Sequence, residues 1–172
     1  MEVYTLGLSE ILIGAVTQTG DMPALNTMTK IGEVLENTAS FTQEEATFTE
    51  FKEEGNSTAK VRVQSGGGGF NFIFQIMNVN PALLAKYVGG TVTNGVWSFM
   101  GSTITMEESM YIKPKQGLYF QMPKASISAT IGGELNAENL VTATFNVSPL
   151  SPAANKPSLL SGKISDLEVP AG

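Results

Sequence analysis

The chain has 172 residues, 42% of them hydrophobic, and a net charge of −6, a composition typical of one folded domain and not of a disordered chain. It contains no cysteine and no histidine. Disulfides, thiolate nucleophiles, zinc–thiolate sites and Ser-His-Asp arrangements are therefore excluded. We expect no catalytic residue, no cofactor and no metal site, and we predict that the protein is not an enzyme, although chemistry built on carboxylates or lysine stays open.

The charge is distributed unevenly along the chain. Residues 1–54 carry ten acidic and two basic side chains, a net −8, whereas residues 55–172 carry a net +2. No basic stripe that would neutralise nucleic-acid phosphates is present. The acidic excess favours simple solubility, and it also fits an acidic part of one subunit meeting a less acidic part of another, or a passage that must not retain DNA.

The beginning of the chain lacks the pattern of a secretory signal. It carries Glu2 where a signal has basic residues, and Glu10 interrupts its apolar stretch. No uninterrupted apolar run reaches the roughly 20 residues of a membrane helix. We therefore expect a soluble protein without a membrane partner.

In chain order, residues 3–16 alternate loosely and predict an opening strand, and residues 31–41 predict a second one. An acidic, Thr-rich segment follows, in which Glu53, Glu54, Gly55 and Asn56 predict the tip of a long hairpin or extended loop. Residues 60–64 predict the return strand of this hairpin. Their alternation places Val61 and Val63 inward.

The stretch from 70 to 90 contains the clearest pattern of the chain, FNFIFQIMNVNPALLAKYVGG. Its first half alternates apolar and polar residues with the period of two that is typical of a strand. Its second half predicts a short helix at about residues 80–88, with Asn80 as the cap, Pro81 in the first turn and Gly89 at the end.

The remaining residues predict further strands and turns. Asn94-Gly95 indicates a tight hairpin, and Pro123 indicates a sheet edge or a bulge. Alternation in 125–131 and 140–147 predicts two more strands. With about eight to ten strands and one helix, we predict a mainly β fold, a β-sandwich or barrel with one short flanking α-helix. Residues 1–147 would form this single domain.

Residues 148–172 differ in composition from the rest of the chain. They hold four of the eight prolines, no aromatic residue and many small polar residues. We predict a Pro-rich C-terminal arm or tail, either disordered or laid along a neighbouring subunit.

Paired acids at Glu44-Glu45, Glu53-Glu54 and Glu107-Glu108 raise the possibility of glycoside hydrolysis, which uses two carboxylates. Adjacent residues of a strand point to opposite faces, so we expect solvated acids at these positions. Phe48 and Phe51 lie among the charges of the predicted hairpin. If the hairpin projects, their rings are exposed and available to a partner; the alternative is that they pack on the sheet.

The order of these patterns from about residue 30 to 150 resembles the tail tube, or major tail, proteins of long-tailed bacteriophages. In those proteins a strand leads into an acidic, Thr-rich hairpin or loop, as in IGEVLENTASFTQEEATFTEFKEEG here. A sheet strand and a short helix ending in Gly-Gly follow, as in FNFIFQIMN and NPALLAKYVGG. The closing strands, MPKASISATIGGELNAENLVTATFNVSPL, extend the resemblance.

The resemblance implies a virion structural protein of a phage or prophage that assembles in the host cytoplasm. Copies would form hexameric rings, stack into a tube beside other tail proteins, and let DNA pass without specific binding. Residues 41–60 would be the arm that reaches the adjacent ring. Its contact residues would be Phe48, Phe51, Glu53, Glu54, Gly55 and Asn56.

The sequence leaves open two hypotheses that assign the protein to other functional classes. One is a secreted or surface β-sandwich that binds a glycan or protein ligand. The other is a hydrolase that uses carboxylates. A protein that forms rings or filaments favours the tube, whereas a monomer stabilised by ligand favours the binding module.

Overall fold

The structure, a computed structural model, describes residues 2–167. The strands are β1 (Leu6–Gly14), β2 (Thr29–Lys30), β3 (Ser40–Gln43), β4 (Thr47–Lys52), β5 (Ala59–Gly66), β6 (Phe70–Ile76), β7 (Thr91–Thr93), β8 (Val96–Ser98), β9 (Met106–Gln116), β10 (Leu118–Gly132), β11 (Thr142–Pro149) and β12 (Leu160–Lys163). The helices are α1 (Pro81–Tyr87) and the single turn α2 (Ile164–Leu167), and a 3₁₀ turn lies at Leu25–Thr27. The predicted mainly β class with one short helix near 80–88 is confirmed. Neither α-helix of the described chain has the length and apolar character that crossing a bilayer requires.

One antiparallel sheet organises the domain, with the strand order β2-β1-β9-β10-β11-β6-β3. Strand β10 is its longest member at 15 residues, and its first part also pairs with β12. A register shift between Met122 and Ala125 marks the bulge that Pro123 predicts, because proline cannot donate a ladder hydrogen bond. Two small hairpins, β4–β5 and β7–β8, lie outside this sheet.

The segment 29–35 contacts β1, near one edge of the sheet, and β6, near the other edge, so that the sheet rolls up. At one end of the segment, the Ile31 amide donates to the Ile11 carbonyl of β1 at 3.0 Å. At the other end, Val34 bridges to Ile76 of β6, and the Leu35 amide donates to Gln75 O at 2.8 Å. The prediction of one continuous strand over residues 31–41 is therefore wrong. This stretch makes isolated hydrogen bonds to two different strands before β3 begins.

The core fills the inside of the rolled sheet. Alternate residues of β6, β10 and β11 face inward, as the period of two predicts, and Phe74 and Phe145 are fully buried. Their rings stack with centroids 5.0 Å apart, and Tyr87 of α1 meets Phe145 edge-on at 5.1 Å. Aromatic packing thus fixes the helix against the sheet.

Helix α1 forms where the sequence predicts it and for the predicted reasons. The Asn80 side chain accepts a hydrogen bond from the Leu83 amide at 2.9 Å, and Pro81 occupies the first turn. Lys86 and the Tyr87 hydroxyl both reach the Glu108 carboxylate, each at 2.5 Å. Burial and this hydrogen bond raise the pKa of Tyr87 above its usual range, so the phenol stays protonated as a donor.

Removing the cap of α1 should destabilise the protein measurably. The change Asn80→Ala should lower the free energy of unfolding by about 1 kcal/mol, because the Leu83 amide loses its acceptor. Urea denaturation measures this difference. Asn26→Ala, at an exposed position in the 3₁₀ turn, is the matched control and should change stability by less than about 0.5 kcal/mol. Equal effects of the two changes would contradict the capping role.

The segment after residue 147 runs back along its own subunit. Strand β11 extends to Pro149, and the Leu150 amide donates to Lys124 O at 2.8 Å. Lys156 pairs with Asp21 at 2.6 Å, and β12 adds to β10. The described part of the predicted Pro-rich arm, 148–167, therefore packs on the domain 1–147. The last five positions of that prediction, 168–172, lie outside the described residues.

Candidate self-association surfaces

The predicted contact residues all lie on one projecting hairpin, β4–β5. Among the described elements, these two strands make extended contact only with each other. The hairpin runs over residues 47–66 and so overlaps the arm predicted at 41–60 in part. Residues 40–43 belong to the main sheet as β3, where Phe41 stacks on Phe120 of β10 at 4.9 Å.

The tip of the hairpin is the predicted turn. The Asn56 amide donates to the Glu53 carbonyl at 3.0 Å, and the Asn56 side chain accepts from the Thr58 amide at 2.9 Å. Gly55 has φ +80°, a conformation that residues with a Cβ rarely adopt. Glu53 pairs with Lys60 at 3.4 Å across the strands, and Glu54 is exposed beside it. The backbone of the turn therefore keeps an acidic tip in solvent.

The two faces of the hairpin differ in chemistry. One face carries Phe48, Glu50, Arg62 and Gln64, since Phe48 pairs with Gln64 and Glu50 with Arg62. The Arg62 guanidinium lies 3.8 Å from the centroid of the Phe48 ring and 3.6 Å from a Glu50 oxygen. The cation–π contact thus gives the Phe48 ring a polar partner within its own hairpin, and Glu50 pairs with the charge of that partner.

The opposite face of the hairpin is apolar and uncovered. Phe51 pairs with Val61, and Val63 follows on the same side of β5. Their exposed fractions are 57% for Phe51 and 51% for each valine. The prediction that Val61 and Val63 point inward is wrong, because the hairpin leaves the sheet and has no core beneath it. Exposed apolar faces of this kind mark contact surfaces in soluble proteins.

A second candidate surface is the outer face of β10, β11, β6 and β3. On these strands, polar residues alternate with the core residues and stand opposite one another across the sheet, as in the pairs Ser126–Ser148 and Thr144–Gln75. The members with short or amide side chains are Ser40, Thr42, Asn71, Gln75, Ser126, Ser128, Thr144, Asn146 and Ser148. Ile73 is apolar, and Lys124 is paired with Glu107 at 3.0 Å. This face offers hydroxyl and amide groups without a free cation among the residues named.

Three of the paired glutamates, Glu53, Glu107 and Glu108, have separate partners. Glu108 binds Lys86 and Tyr87 at the helix, Glu107 pairs with Lys124 on the outer face, and Glu53 pairs with Lys60 on the hairpin. Within residues 2–167, no group of three or more acidic side chains is close enough to hold a metal ion. Each of these carboxylates forms an ion pair with a lysine of a neighbouring element.

A cleft of about 1000 Å³, which the sequence does not predict, opens between β1 and the segment 30–41. Its lining combines apolar side chains, among them Leu8, Phe41 and Phe120, with acidic and basic ones. The cleft depends on contacts between residues more than 70 positions apart. No local pattern in the sequence could therefore indicate it.

Comparison with known proteins leaves the family open. No family model matches the chain, and no curated protein matches it significantly. Function must therefore be argued from the surfaces described above.

Proposed function

We propose that this protein is a self-assembling structural protein of the tail-tube type. Copies join as hexameric rings, the rings stack into a tube beside other tail proteins, and DNA passes through the lumen without specific binding. The observation that carries the proposal is the projecting hairpin β4–β5, which holds an uncovered apolar face away from the body of its own subunit. Such an arm gains stabilisation only when a partner covers it.

The polar outer sheet face supports the same function. A tube wall that lets DNA slide must not offer unpaired lysine or arginine side chains to the phosphates, because each such contact adds affinity. The hydroxyl and amide residues of β3, β6, β11 and β10 meet that requirement, with Lys124 held by Glu107. The net charge of −6 adds a weak repulsion of DNA. In this proposal the protein acts in the virion tail, assembles in the host cytoplasm and performs no reaction.

Association of the purified chain tests the proposal directly. Sedimentation velocity and negative-stain electron microscopy over a range of concentrations should show species of about six copies or tubes. A protein that stays monomeric at the highest concentrations would contradict the proposal.

The cleft favours a second candidate, a β-sandwich module that binds a glycan or protein ligand. Its volume of about 1000 Å³ is large enough for a ligand, and its lining supplies both apolar and charged contacts. If the protein is such a module, a ligand should raise the free energy of unfolding of the monomer by about 2.7 kcal/mol at a concentration a hundredfold above its Kd. Thermal unfolding of the monomer with panels of oligosaccharides and apolar peptides distinguishes the two functions.

A further inference from the structure

A second uncovered apolar surface lies between α1 and β9. Five large apolar residues of residues 92–104, here called the loop patch, are exposed: Val92 41%, Val96 63%, Phe99 44%, Met100 94% and Ile104 38%. No acidic or basic residue occurs between Lys86 and Glu107. An uncharged stretch with this much apolar exposure marks an interaction surface in a soluble protein.

The loop patch is held against the residues that follow helix α1. Trp97 stacks on Phe99 with ring centroids 5.7 Å apart, and its indole N–H donates to the Gly89 carbonyl at 2.8 Å. Asn94 and Gly95 form the tight turn of β7–β8, both with positive φ. The patch is thus attached to a defined element that presents its apolar residues outward.

The hairpin face, formed by Phe51, Val61 and Val63, lies at the other end of β6. The hairpin precedes Phe70, the first residue of β6, whereas α1 and the loop patch follow Ile76, its last residue. The seven residues of β6, which lie between the two surfaces in the chain, span about 20 Å. Since β4 and β5 make no extended contact with β7 or β8, the two surfaces do not cover each other within one copy.

The combined area of the two surfaces fits a stable interface. A fully exposed large apolar residue presents about 150–200 Å². At the exposed fractions given above, the eight residues present roughly 650–900 Å² of accessible surface, backbone atoms included. A standard interface of about 1,600 Å² contains roughly 900 Å² of non-polar area. One contact between a hairpin face and a loop patch is therefore of the size that specific association needs.

We propose that the hairpin face of one copy docks on the loop patch of a second copy. The inference rests on the proposed function and adds to it the surface that receives the arm. The contact is head-to-tail, because each copy offers one surface at each end of β6, so it continues from copy to copy. The loop patch also suits an arm with an acidic tip, since it carries no acid to repel Glu53 and Glu54.

Cross-linking tests the pairing, because the chain has no native cysteine. The double variant Phe51→Cys, Met100→Cys is treated with a short bismaleimide under conditions of association. The matched control is Phe51→Cys, Leu135→Cys, since Leu135 is 93% exposed and Met100 94%. We expect a ladder of covalently joined copies from the first variant, at least tenfold more abundant than from the control. Mixing the single variants Phe51→Cys and Met100→Cys should join them only to each other.

The outcomes separate the docking from the function on which it rests. Multimers or tubes that give no ladder above the control would overturn the docking and leave the tube function standing. Monomers at all concentrations would overturn the tube function and the docking with it. A ladder that the control reproduces equally would also overturn the docking, because it would report collision and not a defined contact. Circular dichroism checks that each variant is folded.

Discussion

Replacing Phe145 with alanine should lower the free energy of unfolding by about 3–5 kcal/mol. The Phe145 side chain is fully buried, stacks on Phe74 and contacts Tyr87 of α1. Its removal leaves a cavity where the rolled sheet meets the helix, and close-packed neighbours fill such a space only in part. Urea denaturation of the monomer, with the midpoint and slope both fitted, measures the loss.

Phe51→Ala is the matched control for this change. The same type of side chain is removed, but Phe51 is 57% exposed. Its hairpin makes extended contact only within itself among the described elements. Monomer stability should change by less than about 0.5 kcal/mol. Similar losses at the two positions would mean that the hairpin is part of the folded core, which would remove the main argument for an assembly arm.

Local chemistry explains what could be predicted from the sequence. The strand β6, the cap at Asn80 and the turn at Asn94-Gly95 each depend on residues a few positions apart. The same holds for the hairpin tip at 53–56, where neighbouring residues make the turn. The predicted contact residues lie together on this hairpin because they are close together in the sequence. Their role in assembly remains a prediction.

Contacts between distant residues account for what the sequence did not predict. Alternation in β5 predicts two faces but does not reveal that the hairpin leaves the sheet, so it predicts an inward position for Val61 and Val63 that the structure contradicts. The outer polar face exists only because β3, β6 and β11 pair across long separations. The fold-back of 148–167 likewise rests on distant contacts, among them the pairing of β12 with β10 and the Lys156–Asp21 pair, whose partners lie 135 positions apart.

Deleting residues 50–57 should abolish tube formation and leave the monomer folded. The deletion removes Phe51 from the apolar face together with the acidic tip, but it touches no core residue. Because the hairpin makes extended contact only within itself, the unfolding free energy of the monomer should change by less than about 1 kcal/mol. Electron microscopy and sedimentation should then show monomers, or single rings if the hairpin acts only between rings. Tubes formed by the deletion variant would count against the arm.

Two single substitutions on one strand show whether the apolar face, and not merely the length of the hairpin, drives assembly. Val63 and Gln64 are adjacent and both exposed, but they lie on opposite faces of β5. Val63→Lys places a charge on the face proposed to be buried between copies, and burying an unpaired ammonium is strongly unfavourable, so the critical concentration for tubes should rise at least a hundredfold. Gln64→Lys adds the same charge to the face that already carries Arg62 and should leave assembly within a few fold of wild type. Equal effects would locate the contact elsewhere on the hairpin.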